Sequence, residues 1–322
     1  MRKIVDGKEI LLLAMVLLAG ACTRRDLNLA DPSVQLLLNV HDTLPLAGPV
    51  PSGELYETRL YDASTGTLAE TAYTGPKGGP IYAAADSYRL VISNFDTETV
   101  VYDGEESLLQ LRAVTNMASI VTNRLFWNLV ELASVKAGTP SFFSEVVGEP
   151  GYVFAAVPER IDLPYRAGGD DGFVITADAW PLVKACRLEV RGVTGQENLA
   201  SAVAFLTGVV RGRYLETGDP VSGSATMTFG LDKDEDRSQL EACFSTFGFA
   251  EGESVWLYLL LTDTGGGRYL FTYDVTGQCD MAVRELTIGV DLEYEVPEPS
   301  QGGGGFFPAA DDWEIHGYPV QI

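Results

Sequence analysis

In stretch after stretch of this chain, apolar residues recur at every second position, the period of a strand buried on one face. In SVQLLLNV, Val34, Leu36, Leu38 and Val40 share a face, and Leu37 makes the opposite face partly apolar, implying partial cover there. Tyr88, Leu90 and Ile92 alternate in YRLVISN, and residues 55–61 and 100–102 read as further strands. In ACRLEVRGV, Cys186, Leu188 and Val190 face inward while Arg187, Glu189 and Arg191 face outward. SAVAFLTGVV and SATMTFGLD read as strands too. SVWLYLLLTD is apolar on both faces, so it is expected at the centre of a core. The turn-rich residues 263–267 then lead into RYLFTYDV, making a hairpin. ELTIGVDLEYEV sets Leu286, Ile288, Val290 and Leu292 against Thr287, Asp291 and Glu293.

Such strands, with frequent turn signals and no βαβ rhythm, predict an all-β chain of antiparallel sandwiches. A length of 322 residues predicts two of them in tandem, at about 150 residues per domain. The Gly/Asp run at residues 167–172 is a strong break, giving sandwiches over residues 33–166 and 167–301. At most one or two short helices are expected. NRLFWNLVELASVKAG is the candidate, since Leu125, Phe126, Leu129, Val130 and Ala133 are spaced for a helix that Gly138 would stop. Gly302 to Gly305 forms a flexible hinge before a C-terminal tail that ends at residue 322.

The N-terminus carries a different signal. Residues 10–22 read ILLLAMVLLAGAC, an uncharged run after Arg2, Lys3 and Lys8. It is shorter than the about 20 residues of a membrane span and suits the apolar core of a secretory signal. Small residues Ala19, Gly20 and Ala21 lead into Cys22, an arrangement that resembles a bacterial lipoprotein signal, with Cys22 as the lipidation site. Residues 1–21 would then be removed, and residues 22–32 would tether the body to a membrane. An ordinary signal cut after Ala21 is the alternative.

Charge and residue usage exclude several functions. A net charge of −23 repels phosphate backbones, so no nucleic-acid partner is expected. His41 and His316 are the only histidines, which leaves little for a His-based triad or zinc hydrolase. No GxSxG elbow is present, and the carboxylate pairs lack a recognisable motif. Asp232, Asp234 and Asp236 alternate like calcium ligands, but Arg237 and Cys243 stand where such a loop needs Gly and Glu. Residues 168–172 could also bind calcium, although a plain loop suffices. The expectation is a protein without catalytic residues, metal or cofactor. With Cys22 lipidated, Cys186, Cys243 and Cys279 allow at most one internal disulfide.

Further stretches carry a resemblance. Cys22 is followed by Arg24-Arg25-Asp26-Leu27 and the strand from Val34 to Val40. SYRLVISNFDTETVVYDG, VRGVTGQENLASAVAFLTGV, FSTFG and the Gly-rich bridge to Asp311-Asp312-Trp313-Glu314 complete the set. In this order they resemble the fimbrillin-like fimbrial-subunit lipoproteins of Bacteroidales, the group that includes minor and anchoring subunits. The resemblance implies two transthyretin-like sandwiches and a structural role in adhesion and assembly. It also implies a lipid-anchored place at the outer membrane, facing the cell surface. Thr23-Arg24-Arg25 lacks the acidic run that often marks surface export in these bacteria, which leaves the facing side open.

The resemblance further implies that the tail engages other fimbrial subunits by strand addition. Trp313 and Ile315 share one face, and Val320 and Ile322 another, so these four are the expected partner-binding residues. Packing of the tail on its own second sandwich is the alternative. The competing function is a surface glycan-binding lipoprotein, with Trp127, Trp180 or Trp256 stacking on sugars.

Overall fold

A computed structural model describes residues 33–137, 144–163, 173–298 and 314–317. The first part contains β1 (Ser33–Val40), the small hairpin β2 (Thr43–Leu44) and β3 (Gly48–Pro49), β4 (Tyr56–Asp62), β5 (Leu68–Thr74), β6 (Gly78–Tyr82) and β7 (Ser87–Asn94). Then come β8 (Val100–Asp103), β9 (Arg112–Thr115), the helix α1 (Ile120–Ala137), β10 (Val146–Val147), β11 (Phe154–Ala156), β12 (Ile161–Asp162) and β13 (Phe173–Pro181). The second part contains β14 (Lys184–Thr194), β15 (Leu199–Val210), β16 (Gly212–Tyr214), β17 (Ser224–Gly230), β18 (Asp232–Asp234) and β19 (Gln239–Thr246). It ends with β20 (Trp256–Asp263), β21 (Arg268–Asp274), β22 (Leu286–Glu295) and β23 (Glu314–Gly317).

The two parts repeat one topology of seven strands. In the first, β4 pairs antiparallel with β5 and β7, and β7 with β11. β11 also pairs antiparallel with β13, so the sheet continues round to β1, which pairs parallel with β13 and antiparallel with β6. In the second, β15 pairs antiparallel with β17 and β20, and β20 with β21. Opposite, β14 pairs antiparallel with β19 and parallel with β22. Each unit therefore closes by laying its last strand beside its first. The all-β, two-sandwich architecture is as the alternation predicts, with one parallel pair among the seven repeated strands of each unit.

The period-two patterns fill the cores as expected. Val34, Leu36 and Leu38 of β1 face Tyr56, Leu60, Leu90 and Ile92 across the first sandwich. Leu188 and Val190 of β14, Leu257 and Leu259 of β20, and Ile288 and Val290 of β22 share the second core. Strand β20 is central, as its two apolar faces require, lying between β15 and β21.

The unit boundary differs from the expected break at 166/167. Strand β13 follows that break yet pairs with β1 from Val34↔Phe173 to Val40↔Ala179. The first unit thus runs to Pro181, and only Leu182 and Val183 separate it from β14. A Gly/Asp-rich stretch marks a loop, whether between units or inside one, and only the pairing partner of the next strand tells which.

Residues between β7 and β11 form an insertion that joins the units. Strand β9 pairs with β16, and β10 pairs parallel with β17, extending the second unit's sheet. At the β9–β16 contact, a Cβ on Gly212 would stand 2.2 Å from the Ala113 carbonyl oxygen, so only glycine permits this approach. The helix α1 is the expected one, with Phe126, Leu129, Val130 and Ala133 buried. It covers the outer face of the second unit's sheet, where Phe126 stacks on Phe205 and meets Tyr258 edge-on. A further cluster joins Tyr61 and Val91 of the first unit to Val210, Leu215 and Phe247 of the second.

Candidate assembly surfaces

A sheet offers partners its edges and its uncovered faces. The edges of the second unit's larger sheet are occupied within the chain. β10 lies along β17, and β23 pairs parallel with β21 from Tyr269↔Glu314 to Thr272↔Gly317. Ile315 stands beside Leu270 in this register. Of the four expected partner-binding residues, only Ile315 is among the described residues, and Trp313, Val320 and Ile322 lie outside them, as do Cys22 and residues 167–172. In the described stretch, the tail adds to the sheet of its own chain.

The smaller sheet ends at β22, which pairs only with β14 among the described residues. Its outward backbone is partly closed. The Gly289 N–H donates to Gln278 Oε1 at 2.8 Å, and Gln278 Nε2 donates to the Gly289 carbonyl at 3.1 Å. One side-chain amide thus takes both main-chain positions that a docking strand would use at Gly289. The first unit's edge strand β6 carries Pro80, which has no N–H to offer a neighbour.

The outer faces differ in cover. On β4, Glu57 and Arg59 point away from the first core and are buried beneath β8. The Arg59 guanidinium lies 4.8 Å from the Tyr102 ring centroid, donates to Ser93 Oγ at 3.1 Å and is bonded to Glu57. Burial pushes the Glu57 carboxyl above its ordinary value, and Arg59 offsets part of this. On the other layer of the same unit, Trp180 is exposed and stacks on His41, with ring centroids 3.6 Å apart. The Asp178 carboxylate accepts from Asn39 Nδ2 at 3.2 Å and lies 3.2 Å from His41 Nε2.

The three tryptophans considered for sugar stacking lie on separate elements. Trp127 is on α1, Trp180 on β13, and Trp256 on β20, packed against the cluster beneath the helix. They form no row. Asp234 accepts from the Arg237 N–H at 3.2 Å, capping a helical turn, so the acidic loop is used locally. Among the described residues, no group of His, Cys, Asp and Glu is placed to hold a metal ion.

A cleft of about 440 Å³ in the second unit is lined by Phe249, Val255, Cys279, Met281 and the carboxylates of Glu251 and Glu253. Burial pushes the Cys279 thiol up to about 12, so at neutral pH it is a protonated thiol rather than a nucleophilic thiolate. Cys186, Cys243 and Cys279 are all free thiols. No described helix is long and apolar enough to cross a membrane.

The intramolecular strand addition by β10 escaped sequence reading, since a two-residue strand has no period. So did the burial of Arg59, whose sequence neighbours Thr58 and Leu60 say nothing of Tyr102 above it.

Comparisons with known proteins place this geometry. Residues 22–230 match the family described as a domain of unknown function, DUF5119. No curated protein matches the chain. A crystal structure of a candidate adhesin from Bacteroides ovatus is similar with a TM-score of 0.58 at 18% identity, covering 87% of this chain and 98% of that one. The fimbrial anchor protein Mfa2 from Porphyromonas gingivalis gives 0.45 at 13% identity, covering 80% and 89%. A candidate polysaccharide-binding protein from Bacteroides thetaiotaomicron gives 0.46 at 9%, covering 80% and 89%. The first of these shows a shared fold.

Proposed function

The chain belongs to the DUF5119 family, and from that premise we propose that it is a lipid-anchored fimbrial subunit of the anchoring or minor type. The observation that carries this reading is the terminal strand β23. It is four residues long, follows the Gly-rich stretch 302–305, and sits at a sheet edge in parallel with β21. A short terminal strand on an edge is the element most readily exchanged for a partner's sheet, because few backbone bonds hold it. At about 0.5–1.5 kcal/mol net for each hydrogen bond, a few such bonds are a modest barrier to release. Trp313, Ile315, Val320 and Ile322 would then supply the alternate side chains that select the partner sheet.

The tandem sandwiches, similar in fold to a candidate adhesin, suit a structural role at the cell surface. Cys22, after an uncharged run closed by small residues, is the proposed lipid attachment at the outer membrane. With the N-terminus tethered and β1 paired on both sides, β1 leaves no gap for a partner's strand, so the protein would donate a strand and not accept one at that position.

Deletion of residues 306–322 tests the reading. The truncated protein should fold, reach the membrane fraction and lose co-purification of its subunit partner. Loss of folding would assign the tail to its own core instead. Cys22→Ser should leave the protein unprocessed or release it from membranes. A processed mutant that withstands carbonate washing would remove the lipid anchor from the proposal.

A further inference from the structure

Each unit has one outer sheet face that the rest of the chain leaves open among the described residues. In the second unit, β19-β14-β22 presents Arg187, Glu189, Arg191, Glu241 and Asp291. Arg191 Nε bonds Asp291 at 2.7 Å, and its guanidinium lies 3.8 Å from Glu189. This is a solvated face. The topologically equivalent face of the first unit, β6-β1-β13, is largely uncharged and carries large apolar and aromatic side chains. Tyr82, Leu37, Val174 and Trp180 are exposed by 68%, 45%, 55% and 57%. Gln35, Asn39 and Thr176 lie between them, uncharged, and the one carboxylate, Asp178, is engaged by Asn39 and His41. The same strand positions of the same fold thus carry an ion-pair network in one copy and, apart from Asp178, uncharged side chains with four large exposed apolar or aromatic groups in the other. Folding does not require the difference, and a largely uncharged face with four exposed large hydrophobic side chains, on a chain of net charge −23, marks an interaction surface.

The position of the face names what it meets. Strand β1 begins at Ser33, with Tyr82 opposite in register. Residues 23–32 separate Ser33 from Cys22. Eleven residue steps reach at most about 40 Å when extended and average about 18 Å as a coil. A lipid held at Cys22 therefore keeps this face near the bilayer at an effective concentration on the order of millimolar, where a weak contact is populated. Tyr82 and Trp180 stand at opposite ends of the face, about 26 Å apart along the direction of β1. Aromatic rings of this kind settle at the headgroup level of a bilayer. The face carries no cationic patch for anionic lipid, so the surface it suits is zwitterionic.

We propose that the outer face of β6-β1-β13 lies on the lipid surface in which Cys22 is anchored; the inference rests on the lipid-anchor reading given above. It fixes the orientation of the molecule, first unit flat against the membrane, rather than leaving the body free on its tether.

The test is quenching of tryptophan fluorescence by brominated phosphatidylcholine in vesicles carrying the full-length protein. The wild type should be quenched, Trp180→Phe should lose the quenching, and Trp127→Phe should keep it. The pair Leu37→Glu and Val174→Glu, both at exposed positions, should also lose it while the circular dichroism spectrum is retained. In a second arm, residues 23–322 carrying an N-terminal hexahistidine tag are held on chelator-lipid vesicles, which fixes the same point of the chain without Cys22. Failure of the full-length protein to stay on vesicles, with quenching of Trp180 intact in the second arm, removes the lipidation reading and keeps the docking face. Equal quenching of wild type and Trp180→Phe in the second arm overturns the inference. So does disulfide cross-linking of Val174→Cys between two copies on the vesicle, which would give the face to a second molecule.

Discussion

At the scale of single residues, the buried Arg59 is the position whose loss should be felt most. Its charge is matched by Glu57, its plane by Tyr102, and one of its donors by Ser93. Arg59→Ala would leave the Glu57 charge buried and unpaired, so a loss of about 3–5 kcal/mol is expected in urea unfolding. Arg59→Ala combined with Glu57→Ala should recover part of that loss, and a double mutant no more stable than Arg59→Ala would show that packing, not pairing, dominates. The same pair sets a pH dependence. Because burial raises the Glu57 carboxyl, the folded protein takes up this proton more readily than the unfolded chain. Stability from this group therefore grows as pH falls from neutral through the raised value and levels off below the unfolded value of about 4.3. The stability of the wild type relative to Glu57→Gln should be greater at low pH than at pH 7. An unchanged difference across that range would contradict the assignment.

At the scale of elements, the insertion between β7 and β11 holds the two units together. Helix α1 contributes Phe126 to a ring cluster with Phe205 and Tyr258, and all three are buried. Phe126→Ala should cost about 3–5 kcal/mol, the range for emptying a buried aromatic site. The more specific outcome is where the damage falls: hydrogen exchange should speed up in β15 and β20, beneath the helix, and not in β1 or β13. Uniform acceleration would mean that the two units unfold as one. Helix α1 was legible from the spacing of Leu125, Phe126, Leu129 and Val130. Its destination was not, since its neighbours in sequence belong to the first unit while the face it covers belongs to the second.

At the scale of the whole molecule, we propose that the units divide at Leu182 and Val183, where the repeated seven-strand topology starts again. The pairing of β1 with β13 makes a prediction about the Gly/Asp-rich run upstream. A protease site placed between Gly168 and Gly169 should be cleavable, yet the two fragments should stay together in gel filtration, because β13 remains on β1 and β10 on β17. Separation of the fragments without denaturant would restore the division at 166/167.

What the sequence determined by itself was local and periodic. Alternation assigned strands such as β1, β7, β14, β20 and β22, decided which side of β1, β14 and β22 faces the core, and so pointed to an all-β chain of sandwiches. The double apolar face of SVWLYLLLTD placed that strand at the centre, whereas the partial cover that Leu37 implied on the outer side of β1 is not found among the described residues, where Leu37 is 45% exposed. What only the tertiary structure decided was which strands meet. A strand's period is the same whether its neighbour lies ten residues away or 140, since hydrogen-bond partners are chosen by chain topology and not by side-chain pattern. The parallel closure of each unit, the reach of β10 into the second sheet, the burial of Arg59 under Tyr102, and the lack of any described segment over Leu37, Val174 and Trp180 all arise at that level.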